Sequence, residues 1–121
     1  MSIERVEIKQ FKESVPFESR RAKSRKILEA HDSKYPLILL QSSSCRFKLP
    51  VQKFIIDGTM TVASLLYTIR KYIWVAPNQG LYLYLNDTLP MLNSKISELY
   101  QRFADEDGFL YFVYSHQEDK G

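Results

Sequence analysis

The stretch Thr61-Val62-Ala63-Ser64-Leu65-Leu66-Tyr67-Thr68-Ile69-Arg70-Lys71-Tyr72-Ile73-Trp74 decides the fold. Val62, Leu65, Leu66, Ile69 and Ile73 stand at i, i+3, i+4, i+7 and i+11, the spacing of one buried helical stripe. Thr61 precedes the stripe and has the hydroxyl an N-cap needs. An apolar helix from Val62 to about Trp74 must lie against something, so the segments on either side are read for strands. Upstream, Val51-Gln52-Lys53-Phe54-Ile55-Ile56 alternates, with Val51, Lys53 and Ile55 on one face and Gln52, Phe54 and Ile56 on the other. Asp57-Gly58 then turns the chain into the helix. Further upstream, Tyr35-Pro36-Leu37-Ile38-Leu39-Leu40-Gln41 is nearly continuous in apolar residues, the pattern of a strand covered on both faces.

Downstream, Pro77-Asn78 punctuates before a third strand, Leu81-Tyr82-Leu83-Tyr84-Leu85. Asn86-Asp87 supplies turn chemistry, and Pro90 bars a central strand nearby. Asn93 or Ser94 can cap a second short helix, in which Ile96, Leu99, Tyr100 and Phe103 again repeat at i, i+3, i+4 and i+7. The stretch Phe109-Leu110-Tyr111-Phe112-Val113-Tyr114 reads as a last strand, followed by a polar tail from Ser115 to Gly121. The core order is β-β-α-β-α-β, an α+β arrangement compatible with a ubiquitin-like β-grasp: a four-stranded mixed sheet with a crossing helix. Periodicity alone also permits other α+β rolls. Residues 1–30 form a helical extension. Pro16 suits a first helical turn, Phe17 to Ala30 reads as a helix packed onto the core, and Ile3, Val6, Ile8 and Phe11 fit a short helix before it. Residues 31–121 are the core and tail, and the whole is expected to be one domain.

With 121 residues and 45% apolar content the chain can bury a core without metal or disulfide support. Its single cysteine, Cys45, allows no internal disulfide. The N-terminus lacks a signal-like apolar segment, and no run approaches the roughly 20 apolar residues of a membrane span. A cytoplasmic monomer is expected. The net charge of +3 is unevenly placed. Lys9, Lys12, Arg20, Arg21, Lys23, Arg25, Lys26 and Lys34 crowd the first third, while Asp105, Glu106, Asp107, Glu118 and Asp119 lie near the end. Either the basic helix meets an acidic partner or it is a solvated face.

Catalysis has no support. Cys45 has no activating neighbour, His31 and His116 show no metal-ligand spacing with it, and no glycine-rich phosphate loop is present. Asp105-Glu106-Asp107-Gly108 places its glycine too early for a calcium loop and has His116, not glutamate, at the twelfth position. No catalytic residue, metal or cofactor is expected. A basic nucleic-acid-binding domain is the rival from another class. Its aromatic residues, however, sit in stripes that a core would claim, and +3 is low for that role.

Several segments, taken in order, resemble the autophagy-related protein 8 family of ubiquitin-like modifiers, the GABARAP and light-chain type. Pro16-Phe17-Glu18-Ser19-Arg20-Arg21 with Ile27 resembles the start of that family's second helix, and Lys34-Tyr35-Pro36 its entry to the first strand. Lys53-Phe54-Ile55-Ile56, Ile69-Arg70-Lys71, Leu83-Tyr84-Leu85-Asn86 and Leu99-Tyr100 continue the likeness. Asp105 through Ser115, followed by a glycine six residues on, is its longest piece. The resemblance covers about Phe11 to Gly121.

It implies that the Gly121 carboxylate is activated by an E1-like enzyme, passed on by an E2-like enzyme and joined to phosphatidylethanolamine. A pool on autophagosomal or other vesicle membranes would follow. A residue without Cβ can thread a narrow channel and adopt any backbone angle at the reacting carbonyl. The glycine could also be simply where the chain was cut, and attachment to a protein lysine remains an alternative. Lys120 departs from the aromatic or apolar residue the family usually places before the glycine.

The resemblance further implies recruitment of cargo receptors through aromatic-x-x-aliphatic peptides added as a strand to the edge at Lys53–Ile56. The aromatic pocket would use Ile27, Pro36, Ile38, Ile55 and Phe109, with Lys53 at its rim. The aliphatic pocket would use Phe54, Ile56, Met60, Val62 and Leu65. For Ile38, Val62 and Leu65 a plain core role is equally open. Lys23 replaces an acidic residue of many members, and Lys34 replaces an arginine, so a more basic rim favouring acidic peptide residues is expected.

Overall fold

A computed structural model describes residues 4–76 and 79–116. The elements are α1 (Val6–Ser14), α2 (Phe17–Ala30), β1 (Lys34–Gln41), β2 (Lys53–Asp57), α3 (Val62–Tyr72), β3 (Tyr82–Tyr84), α4 (Ile96–Phe103) and β4 (Leu110–Ser115). The strands form one mixed sheet in the order β2-β1-β4-β3. β1 is antiparallel to β2 and parallel to β4, and β3 is antiparallel to β4. The α+β order expected from the sequence is the order observed.

Alternation along the strands divides the apolar residues between two faces. On one face Leu37, Leu39, Ile56, Leu83, Leu110, Phe112 and Tyr114 pack with Val62, Leu65 and Ile69 of α3 and with Ile96 and Leu99 of α4. On the other, Ile38, Leu40, Tyr84, Tyr111 and Val113 pack with Phe109, Ile27 of α2, and Ile8 and Phe11 of α1. The continuous apolar run of β1 is therefore explained: both of its faces are covered. The N-terminal helices complete a second core instead of resting on a finished one.

Thr61 caps α3, its Oγ1 accepting from the Ser64 amide at 3.2 Å. The helix ends at Tyr72, two residues before the expected end, because Ile73 turns extended (φ −132°, ψ 144°). The second helix also begins later than expected. Neither Asn93 nor Ser94 is the N-cap; Lys95 is, and its side chain caps nothing. The Ser94 carbonyl instead accepts from the Val62 amide at 3.0 Å, and Lys95 bridges to Thr61. That strand-like junction holds residue 95 extended, so the first helical residue is Ile96. Asn86 and Asp87 both take positive φ (53° and 62°), and Leu85 and Thr88 exchange backbone hydrogen bonds at 2.8 and 3.0 Å. This is the primed turn that matches the right-handed twist of a hairpin.

Candidate functional site

β2 lies at the edge of the sheet. The Leu39 amide donates to the Gln52 carbonyl at 2.8 Å, in the same register that pairs Leu37 with Phe54 and Tyr35 with Ile56. Hydrogen-bonded and non-bonded pairs alternate in an antiparallel ladder, so Phe54 and Ile56 turn their backbone groups toward β1. Lys53 and Ile55 turn theirs outward. Pro36 stands opposite Ile55, where no amide toward β2 is needed, and the ladder with β4 begins only at Leu37. The fold thus presents a short edge whose outward N–H and C=O groups belong to Lys53 and Ile55.

Beside that edge, on the α2 side of the sheet, is a cleft of about 670 Å³. Phe11 and Val15 wall it from the α1 side, Arg20 and Lys23 from α2, and residues 48–53 close its far side. Ile38 and Phe109 also line it. Of the six residues assigned to an aromatic pocket, Ile38, Lys53 and Phe109 line this cleft. Ile27 packs in the same apolar cluster as Ile38 and Phe109. Pro36 is fully buried, and Ile55 stands 42% exposed on the strand edge. The wall from Phe11, Val15 and Lys48 to Gln52 was not anticipated. Phe11 had the apolar spacing that signals a packed helix, whereas the long loop before β2 carried no periodic signal.

The aliphatic set lies on the opposite face. Phe54 is half-buried and meets Tyr72 edge to face at 6.1 Å between ring centres. Ile56 is buried and Met60 partly so, while Val62 and Leu65 are 1% and 0% exposed in the main core. Ile56, Val62 and Leu65 are buried members of that cluster, and Phe54 and Met60 pack against it from its partly buried margin.

What fixes α2, and with it the cleft wall, is largely polar. The buried residues of α2 are Arg20, Ser24 and Ile27. One apolar side chain is worth only about 1.5–3 kcal/mol of burial, a slender anchor for a helix of this length. Arg20 makes an ion pair with Asp107 at 2.6 Å and donates through Nε to the Val15 carbonyl at 2.8 Å. The Asp107 carboxylate is fully buried and also accepts from the Tyr111 hydroxyl and, at 2.9 Å, from the Phe109 amide. Ser24 donates to the Asp107 carbonyl. Arg21 reaches the Glu106 carbonyl at 3.2 Å, and Lys12 pairs with Asp105 at 2.6 Å. Gly108, at φ +90°, lets this turn pass beneath Ser24, where a Cβ would lie 2.3 Å from its Oγ. The acidic run before β4 is thus the internal partner of part of the basic N-terminal third. Lys23 and Lys53 remain at the cleft without a carboxylate among the residues that line it.

Three phenols are held above their ordinary range by burial first: Tyr100, Tyr111 and Tyr114. For Tyr111 the hydrogen bond to Asp107 adds to burial, and Arg20 opposes it. Below pH ~10, where unfolded phenols keep their protons, their contribution to stability is fully present. As pH rises beyond that, the unfolded chain releases protons that the folded chain retains, so stability must fall. Urea midpoints are expected to decline steadily from pH 10 to 11.5, and more shallowly in Tyr111→Phe. Midpoints level across that range would contradict the assignment.

Cys45 lies between β1 and β2. Its chain segment is a loop, but the side chain is 7% exposed within the main core, and Sγ donates to the Phe47 carbonyl at 3.4 Å. Gln41 holds the loop by donating to the carbonyls of Cys45 and Phe47 at 2.8 and 3.0 Å. Among the described residues no group of three or more His, Cys, Asp or Glu could hold a metal ion. No helix among them is long and apolar enough to cross a membrane.

A family model described as autophagy protein Atg8, ubiquitin-like, matches residues 19–121. The chain belongs to the Atg8 family. It is 35% identical over 112 residues to autophagy-related protein 8 of Candida glabrata, covering 92% of this chain and 95% of that protein. Identity to the Saccharomyces cerevisiae protein of the same name is 33% over 112 residues, covering 92% and 96%. The crystal structure of Trypanosoma brucei ATG8 superposes with a TM-score of 0.83 at 30% identity, covering 92% of this chain and 97% of that one. The four-stranded sheet and its helices are therefore the ubiquitin-like Atg8 architecture, and the chain is an autophagy-related, ubiquitin-like Atg8 protein. Gly121 and Lys120, singled out in the sequence, lie outside the described residues.

Proposed function

We propose that this Atg8 protein is a membrane-conjugated modifier, joined through Gly121 to phosphatidylethanolamine by E1-like and E2-like enzymes. In that state it recruits cargo receptors carrying aromatic-x-x-aliphatic peptides and performs no catalysis of its own. The observation that supports peptide recruitment best is the outward-facing backbone of Lys53 and Ile55 directly beside the 670 Å³ cleft. An extended peptide added to this edge gains main-chain hydrogen bonds. It would place an aromatic side chain toward Ile38 and Phe109 on one face. Its aliphatic residue would go toward Phe54, Ile56 and Met60 on the other, with Val62 and Leu65 as floor and Ile27, Pro36 and Ile55 as supporting apolar surface. Lys23 and Lys53 would favour acidic residues beside the aromatic. Residues 31–121 then act as the modifier core and residues 1–30 as the extension that walls the cleft.

The lipid-linked state is tested by intact mass of the chain recovered from membranes, beside Gly121→Ala. A phospholipid adduct is expected on the first and none on the second; an isopeptide-linked protein adduct would replace the lipid by a protein lysine. For the peptide site, Phe54→Ala is expected to weaken binding of an aromatic-x-x-aliphatic peptide about tenfold or more. Its thermal unfolding should stay close to that of the parent, because Phe54 is only half-buried at the edge. Unchanged affinity in a titration would remove Phe54 from the pocket.

A further inference from the structure

The buried stripe of α3 has a counterpart on its solvent side. Ala63, Tyr67, Arg70 and Lys71 recur on it at helical spacing and are all exposed, Tyr67 at 66%, and Trp74, 75% exposed, follows two residues past the helix end. Lys71 Nζ sits 4.9 Å from the centre of the Tyr67 ring. At the helix start the surface continues onto Met91 and Leu92, 70% and 59% exposed, because the Leu92 carbonyl accepts from the Ala63 amide at 2.9 Å. Neither residues 61–76 nor residues 88–95 contain a carboxylate. The result is an aromatic and apolar face with cations and no acid, on the side of α3 away from Val62, Leu65 and Ile69.

We infer that this face rests on an anionic lipid bilayer, with Trp74 and Tyr67 at headgroup depth and Arg70 and Lys71 against the lipid phosphates. The inference rests on the tether proposed at Gly121. Gly121 lies five residues beyond His116, a stretch that even fully extended spans only roughly 17 Å. A conjugated domain must therefore lie close to the bilayer, and some face of it must turn that way. Tryptophan and tyrosine favour the interface because their rings are amphipathic, and lysine and arginine are attracted to anionic headgroups. A second copy fits less well, since a two-fold contact would set Arg70 and Lys71 against their own counterparts with no acid to offset them.

Trp74 is the only tryptophan in the chain, so its emission reports the surface just past the C-terminal end of α3. A Cys45→Ala, Gly121→Cys chain can be coupled through its new thiol to maleimide-bearing lipid, which supplies the tether without the conjugating enzymes. The emission is expected to shift to the blue on phosphatidylcholine vesicles containing phosphatidylserine and to stay near the free-protein position on phosphatidylcholine alone. Arg70→Gln with Lys71→Gln should lower the docked-to-undocked ratio about thirtyfold, roughly fivefold for each lost cation. An unshifted emission on the anionic vesicles would overturn the inference. So would a blue shift that grows with protein concentration in the absence of vesicles, which would assign the face to a second copy. Failure of enzymatic conjugation at Gly121 would leave this experiment unchanged, so the two readings fall separately.

Discussion

Asp107→Ala is expected to destabilise the folded chain by about 3–5 kcal/mol, because it leaves the Arg20 guanidinium buried without its counter-charge. Arg20 is 7% exposed and Asp107 fully buried. The same substitution removes the acceptor of the Tyr111 hydroxyl and of the Phe109 amide, both of which approach Asp107 inside the protein. Three donors would lose one carboxylate, and water has little access to replace it. Urea denaturation of the parent, Asp107→Ala, Arg20→Met and the Arg20→Met/Asp107→Ala pair measures the coupling directly. The double variant should be less damaged than the sum of the singles, since it no longer buries an uncompensated cation. It should not return to the parent, because Tyr111 and Phe109 still lack their acceptor. A loss below about 1 kcal/mol in Asp107→Ala would mean that the turn relaxes to admit water, as an exposed pair would.

The same pair shows where sequence reading stops. The charge asymmetry was visible, but Arg20 and Asp107 are 87 residues apart, and neither period nor spacing links them. Only the folded path, with Gly108 in the left-handed region beneath Ser24, turns a basic helix and an acidic run into one contact. By contrast α3 was legible because Val62, Leu65 and Ile69 repeat within one helix and Thr61 carries its own cap. β1 was legible because burial on both faces erases alternation. Boundaries moved where a distant segment used the local backbone: Ser94 serves Val62 with its carbonyl, so the helix begins at Ile96. Cys45 sits in a loop with no apolar period, and its burial depends on Gln41 holding the carbonyls around it. For the candidate site, Ile38, Lys53 and Phe109 could be named in advance by position in a resemblance. Phe11 and Val15 could not, because their place at the cleft follows from how α1 crosses the second face of the sheet.

The second large effect is expected at Leu65, and it separates pocket from core. Leu65 was assigned by resemblance to the aliphatic pocket, yet it is 0% exposed, with Val62 at 1% beside it. Its neighbours in the cluster include residues of β1, β4, α3 and α4, so truncation leaves a cavity that the surrounding elements cannot easily close. Leu65→Ala should therefore cost about 2–5 kcal/mol of stability. Phe54→Ala, half-buried on an edge strand, should instead act mainly on peptide affinity. The two variants make a crossed comparison in which each is measured by urea unfolding and by peptide titration under conditions where both remain folded. If Leu65 is floor rather than contact, its peptide affinity per folded molecule changes little while its unfolding midpoint drops. A Leu65→Ala variant of parental stability that has lost peptide binding would require a pocket that opens to α3's inner face. The closed packing of Val62 and Leu65 would then be the unliganded arrangement alone.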